Sequence, residues 1–168
     1  MNITRREWIA LASGVAVAIA AGTTFAAGRV IKVSLWDMGA TSMNMQGQGS
    51  MMGMGAGSQK IPMAHMGIKV SSATVPAGAV TFDLRNDSNV MVHEMVISPI
   101  KDSKTPLPYN QATNKVDEDA AGHLGEVADL EPGKSGALKL TLKRGRYILY
   151  CNVAGHYALG MWTLLTVT

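Results

Sequence analysis

The sequence predicts an all-β protein built as a β-sandwich, and three observations lead to that fold class. Short runs rich in β-branched and aromatic residues recur along the chain, separated by Pro, Gly and Asn. Once the first 27 residues are set aside, no helical pattern is longer than two turns. Of the 168 residues, 47% are hydrophobic, which is enough for one core. Packing two sheets face to face buries such a pattern.

Each predicted strand is bounded by turn residues, as at Pro76–Gly78 and Glu131–Lys134. The polar stretch 100–125 interrupts the series, and only Asn114–Ala121 within it favours one or two helical turns. The predicted strands are Val30–Trp36, Gly67–Ser72, Ala79–Arg85, Val90–Ser98, Gly125–Leu130, Gly136–Leu142, Arg146–Tyr150 and Trp162–Thr168.

The C-terminal region carries the clearest chemical signal. Cys151 follows a predicted strand, and His156 and Met161 come after it in the pattern Cys-x4-His-x4-Met, just before the last strand. A single cysteine excludes an internal disulfide. Thiolate, imidazole and a weak thioether are the ligands of a blue-copper electron-transfer site. Such a site needs a second imidazole, and the best candidate is His93, predicted to lie in the middle of a strand.

These residues resemble the cupredoxins, the small blue-copper proteins, and among them the plastocyanin-like and the rusticyanin- or sulfocyanin-like members. The resemblance covers residues 67–168 and implies a Greek-key β-sandwich with one type 1 copper ion. It implies the ligands His93, Cys151, His156 and Met161. The motifs that carry it are Gly145–Cys151, Gly155-His156, Gly160-Met161-Trp162, the strand-borne His93 and the turn Leu130–Gly133.

Two positions depart from the family pattern. Ala154 stands where many members have Pro before the Gly-His pair, so the loop dihedrals are less restricted. Glu94 follows His93 where many members have Asn or Ser linking the two ligand loops. The outer hydrogen bonds of the site must therefore come from other side chains. The candidates are Ser88, Asn89 and Asn152.

The residues around His156 are apolar, which predicts that its edge is the exposed electron port where partners dock in small, transient interfaces. Apolar surroundings favour the lower-charged Cu(I), so we expect an oxidising reduction potential. His123 lies in a polar loop and is predicted to be solvated.

Residues 28–66 are predicted to form an N-terminal strand followed by a Met- and Gly-rich flexible loop. Eight methionines lie between positions 38 and 66 without an apolar period. Exposed thioethers can bind Cu(I), but a flexible, oxidation-prone linker is an equal alternative. The candidate residues of a secondary Cu(I) site are Met43, Met45, Met51, Met52, Met54, Met63, His65 and Met66.

Residues 1–27 have the pattern of an export signal peptide or an N-terminal anchor. A short basic region precedes an uncharged stretch from Trp8 to Gly28 that ends in small residues, and Thr4–Ile9 resembles a twin-arginine (Tat) signal. The stretch just reaches the ~20 residues that a membrane helix needs, so cleavage and anchoring both stay open. Either outcome predicts a periplasmic or other extracytoplasmic location, with membrane attachment only if the segment is uncleaved.

Three functions follow from these features. The first is an electron carrier serving redox partner proteins such as a cytochrome or a terminal oxidase. The second is a copper chaperone or resistance protein that uses the Met-rich segment. The third, an oxidase or nitrite reductase, needs further histidines for another copper centre, and the four histidines form no His-x-His pair. We therefore predict a protein that is not an enzyme. The net charge of +3 is too small to predict a nucleic-acid partner.

Overall fold

The structure is a computed structural model that describes residues 28–44 and 65–168. Residues 1–27, the predicted export signal or anchor, lie outside the described residues. So do five of the methionines in the predicted secondary Cu(I) site. These methionines are Met45, Met51, Met52, Met54 and Met63. Among the described residues, no helix has both the length and the apolar character needed to cross a membrane.

Two β-sheets pack face to face, which confirms the predicted all-β Greek-key sandwich. One sheet has the strand order β2-β1-β4-β9, and the other has the order β3-β11-β10-β5-β8. The strands are β1 (Arg29–Asp37), β2 (Met66–Val70), β3 (Thr74–Val75), β4 (Gly78–Asn86), β5 (His93–Ile100), β6 (Tyr109–Asn110), β7 (Lys115–Val116), β8 (Gly125–Leu130), β9 (Ser135–Leu142), β10 (Gly145–Tyr150) and β11 (Trp162–Val167). The two short helices are a 3-10 helix (Ala40–Asn44) and α1 (Glu118–Ala121).

The main core lies between the two sheets. In β1, Ile31, Val33 and Leu35 are buried, whereas Lys32 is exposed, so alternate side chains point inward. A second apolar cluster, formed by residues of β5 and β10 with residues of the segment 101–124, covers the outer face of the five-stranded sheet. Both faces of β5 are therefore buried, and this central strand is held firmly in the fold.

Strand β5 differs from its predicted bounds at both ends. It begins at His93 rather than Val90, because the Ser88 hydroxyl accepts hydrogen bonds from the N–H groups of Val90 and Met91 and holds them in a turn. It continues through Pro99 to Ile100. At Pro99 the strand still pairs with β10, but its pairing with β8 has ended at Ile97. A proline is tolerated where a strand is paired on one side only.

Part of the predicted flexible loop is folded. Residues 40–44 form the 3-10 helix, and the hydroxyl of Ser42 donates to the carbonyl oxygen of His65 over 3.0 Å. The N–H of Met38 donates to the same oxygen over 2.9 Å. Asp37 and Met66 are the last pair between β1 and β2. The two ends of the Met-rich segment are therefore joined at its base.

Candidate metal centre

The strand order brings the predicted ligands to one end of the sandwich. Cys151 directly follows β10, and Met161 directly precedes β11. Strands β5 and β10 are antiparallel neighbours, so the start of β5 lies beside the end of β10. His93 is the first residue of β5, and the prediction that it lies in the middle of a strand was wrong. A position at the strand end lets the imidazole reach the loop beyond β10.

The loop 151–161 is shaped by its own backbone hydrogen bonds. The N–H of His156 donates to the carbonyl of Val153 over 2.9 Å, and the N–H of Met161 donates to the carbonyl of His156 over 3.0 Å. Gly155 and Gly160 have φ values of +86° and +91°, in the left-handed region that glycine adopts without strain. The N–H of Cys151 donates to the carbonyl of Met161 over 3.0 Å, which closes the loop.

Three ligand atoms converge at this end. Nδ1 of His93 lies 3.2 Å from Nδ1 of His156, and Sγ of Cys151 lies 3.3 Å from Nδ1 of His156 and 3.9 Å from Nδ1 of His93. A point equidistant from three atoms so separated lies about 2.0 Å from each. Transition-metal bonds to imidazole nitrogen and thiolate sulfur are about 2.0–2.3 Å long. The three side chains therefore fit one metal ion.

All three ligand residues are buried, and burial keeps each in its neutral form when no metal is bound. Burial raises the pKa of the Cys151 thiol to about 12 and lowers the pKa of His156 to about 4. Burial also lowers the pKa of His93, although Asp37 opposes the shift. Neutral imidazoles have lone pairs available for a cation, and a thiol must lose its proton to become a ligand.

Met161 belongs to the same core cluster as Cys151, and its side chain is fully buried. Its backbone is bonded to both Cys151 and His156 through the two hydrogen bonds that close the loop. The fourth predicted ligand is thus fixed to the second and third by the main chain. A thioether held in this way suits a soft metal ion.

The carboxylate of Asp37 is a site residue that the sequence analysis missed. Its Oδ2 lies 2.8 Å from Nε2 of His93, and both side chains are almost fully buried. Burial alone would raise the pKa of Asp37, but hydrogen bonds from Ser88, His93 and Gly39 outweigh it, and the pKa lies below its usual value. Asp37 is the last residue of β1, and no local motif marks it.

The three side chains suggested for the outer hydrogen bonds have different positions. Ser88 helps to lower the pKa of Asp37, the carboxylate that is hydrogen-bonded to His93. Asn152 instead holds β7, accepting from the N–H of Val116 over 2.6 Å and donating to its carbonyl over 3.0 Å. Asn89 is exposed. Only Ser88 among the three therefore contributes to the surroundings of His93.

His156 is only 2% exposed, so the prediction that the edge of its imidazole is exposed was wrong. Two distant segments, around Met43 and Asn114, pack against the 151–161 loop. The carbonyl of Asn114 accepts from the N–H of Gly155 over 2.7 Å. The methyl group of Met43 lies 3.5 Å from the position that a Cβ on Gly155 would occupy. The route to the centre is therefore more covered than the sequence predicted.

The described residues of the predicted secondary Cu(I) site do not share one environment. Met43 is 37% exposed and His65 is half-buried, whereas Met66 is fully buried in the main core. Met66 is a core residue of β2, because its side chain points between the sheets, so its place in an exposed thioether site was wrong. His123 is exposed, as predicted.

Two solved structures of rusticyanin have a similar fold. Rusticyanin from Thiobacillus ferrooxidans superposes with a TM-score of 0.53 at 14% identity, over 84% of this chain and 79% of that one. A second rusticyanin structure, described as a copper protein, gives a TM-score of 0.53 at 15% identity, over 84% and 80% of the two chains. Auracyanin from Roseiflexus castenholzii gives 0.49 at 18% identity, over 85% and 98% of the two chains.

No family model and no curated protein matches the sequence. The structural likeness therefore rests on the arrangement of strands, with few shared residues. The chain has the cupredoxin fold.

Proposed function

We propose that the protein is a type 1 copper protein that carries electrons, with His93, Cys151, His156 and Met161 as the ligands. The observation that carries this proposal is the approach of two imidazole nitrogens and one thiol to within 3.9 Å of one another in a buried site. Imidazole, thiolate and thioether together suit copper in both oxidation states. When bound, copper supplies a one-electron couple between Cu(I) and Cu(II).

The protein's own contribution is to hold the ligands still. His93 begins a strand buried on both faces, Cys151 directly follows β10, and Met161 directly precedes the neighbouring strand β11. The backbone N–H of Glu94 donates to Sγ of Cys151 over 3.4 Å, which stabilises a thiolate. A fixed ligand set lowers the rearrangement that accompanies electron transfer, and burial excludes water from the metal.

We further propose an extracytoplasmic, periplasmic location and redox protein partners such as a cytochrome or a terminal oxidase. The uncharged segment from Trp8 to Gly28 supports export, and a buried thiol with a pKa near 12 is protected from oxidation there. The proposed role is that of a carrier rather than an enzyme, since all four proposed ligands are buried.

Copper loading followed by rapid-mixing electron transfer tests this proposal. The protein loaded with one copper ion is expected to accept one electron from a small reductant and return it to an oxidised cytochrome without consuming any other substrate. A protein that binds copper but cannot be re-oxidised after reduction is not a carrier. The Cys151→Ser variant is the matched control, because it removes the thiolate and leaves both imidazoles in place.

A second candidate function is copper handling by the Met-rich segment, and the position of Met43 favours it. Its partly exposed thioether lies against Gly155, next to the ligand His156. Asp37 and Met66 are a cross-strand pair, so residues 45–64 can be replaced by a short Gly-Ser turn without separating β1 from β2. The copper-handling function predicts that this replacement lowers Cu(I) stoichiometry and the loading rate. Unchanged values for both would rule it out.

A further inference from the structure

The carboxylate of Asp37 is placed as a built-in partner of His93. Its side chain is 1% exposed, and each of its two oxygens has a different partner. Oδ2 faces Nε2 of His93 at 2.8 Å, and Oδ1 accepts from the N–H of Gly39 at 2.5 Å. A buried carboxylate is costly unless it is bonded in this way.

These contacts determine which nitrogen of His93 carries the proton. Oδ1 of Asp37 accepts from the N–H of Gly39, and a carboxylate can only accept hydrogen bonds. Nε2 of His93 must therefore be the donor, and the lone pair of the neutral ring is on Nδ1. Nδ1 is the atom that lies 3.2 Å from Nδ1 of His156 and 3.9 Å from Sγ of Cys151. The hydrogen bond thus directs the lone pair into the centre.

The contact also joins the two sheets. Asp37 ends β1 in the four-stranded sheet, and His93 begins β5 in the five-stranded sheet. Asp37 lies outside residues 67–168, the part of the chain that carries the family motifs. The ligand is therefore oriented by a residue from the N-terminal strand, across the interface between the sheets.

We propose that Asp37 is a positioning residue that fixes His93 as an Nδ1 ligand and stabilises Cu(II) relative to Cu(I). The inference rests on the proposed copper function. A carboxylate that accepts from the distal N–H of a ligand imidazole makes that imidazole more basic. The more highly charged ion gains more from the added electron density. Asp37 therefore lowers the reduction potential of the centre and opposes the effect of the apolar surroundings.

The test compares Asp37→Asn with Asp83→Asn. An amide oxygen at position 37 can still accept one hydrogen bond but carries no charge. Asp83 is exposed on the outer face of the neighbouring strand β4, so its replacement removes the same charge away from the centre. Loss of an outer-shell partner lowers metal affinity about 10- to 100-fold. We expect Asp37→Asn to weaken Cu(II) binding by at least about tenfold and Cu(I) binding much less.

The loss of Cu(II) affinity in Asp37→Asn also changes the reduction potential. A tenfold loss of Cu(II) affinity with unchanged Cu(I) affinity raises the potential by about 59 mV for a one-electron couple. Asp83→Asn is expected to leave the potential unchanged. An Asp37→Asn protein that folds, binds copper and has the wild-type potential would overturn the inference, as would an equal shift in both variants.

A measurement on the wild-type protein does not depend on the folding of a variant. In the diamagnetic Cu(I) form, nitrogen-15 NMR of the histidine side chains is expected to find His93 protonated at Nε2, with slow exchange of that proton. A proton on Nδ1 would overturn the inference. If the wild-type protein binds no copper, the proposed function fails. If the wild-type protein binds copper and Asp37→Asn keeps the wild-type potential, only this inference fails.

Discussion

The backbone N–H of Glu94 points at Sγ of Cys151 across 3.4 Å, so the residue after the first proposed ligand contacts the second. The side chain of Glu94 is also buried, with 7% exposure, and its Oε1 has no hydrogen-bond partner among the described residues. Burial raises the pKa of this carboxyl to about 7. The position thus combines a useful backbone contact with an unfavourable buried acid.

Glu94→Gln is expected to stabilise the metal-free protein at high pH only. The pKa of Glu94 is about 7 in the folded state against an ordinary value of 4.5, so the folded state binds more protons between these pH values. Stability therefore falls as pH rises from about 4.5 to 7 and stays lower above that range. The upper limit of the effect is about 3 kcal/mol.

Urea unfolding of the metal-free proteins at pH 5 and pH 8 measures this difference. The exposed Glu126→Gln is the matched control, with the same chemical change on the neighbouring strand β8. If the free energies of unfolding of the wild-type and Glu94→Gln proteins differ by the same amount at both pH values, the assignment of a raised pKa is contradicted.

Copper loading is expected to release one proton from the cysteine at neutral pH. The Cys151 thiol is protonated because burial raises its pKa to about 12, whereas both imidazoles are already neutral. Metal binding requires the thiolate. Titration with Cu(II) in weakly buffered solution, followed with a pH indicator, counts the protons. Cys151→Ser should release none, and an equal release from this variant would assign the proton to another group.

Met161→Leu is expected to retain copper and to raise the reduction potential. The two imidazoles and the thiolate remain, and removal of the thioether would leave Cu(II) with one donor fewer. Voltammetry and metal analysis check both statements. Met66→Leu is the control, since it makes the same change in a core strand whose side chain has no proposed contact with copper. Complete loss of copper from Met161→Leu would contradict the assignment of Met161 as the weak fourth ligand.

Asn86→Ala is expected to destabilise the protein and to weaken copper binding. The Asn86 amide donates to the carbonyls of Met91 and Leu130 over 2.8 and 2.7 Å and accepts from the N–H of Ser88 over 2.9 Å. Each buried group left without a partner costs about 1–3 kcal/mol, so the total loss is about 3 kcal/mol or more. Denaturant unfolding measures it, with the exposed Asn89→Ala as control. A loss below about 1 kcal/mol would contradict this role.

Three of the four proposed ligands could be predicted from sequence because they lie close together on one loop. Cys151, His156 and Met161 follow a strand and precede a strand, and both strands have recognisable periodicity. His93 was identified as the second imidazole, but its place at the start of β5 depends on the turn held by Ser88. That turn is formed by side-chain hydrogen bonds that hydrophobic periodicity does not reveal.

The surroundings of the centre could not be predicted because they come from distant segments. Asp37 reaches His93 from the other sheet, 56 residues earlier in the chain. His156 is covered because the segments around Met43 and Asn114 pack against its loop. The sequence analysis assigned Met43 to a flexible loop and Asn114–Ala121 to one or two helical turns, and neither pattern indicates a contact with the 151–161 loop. Contacts of this kind depend on strand order and packing between sheets, which local pattern does not specify.

The visible and EPR spectra of the copper-loaded protein test the central claim most directly. A thiolate bound to Cu(II) beside two imidazoles is expected to give an intense blue or green charge-transfer band with one copper per chain, and the band should be absent from Cys151→Ser. A wild-type protein that binds copper without this band, or a band that persists in Cys151→Ser, would contradict a copper centre at His93, Cys151 and His156.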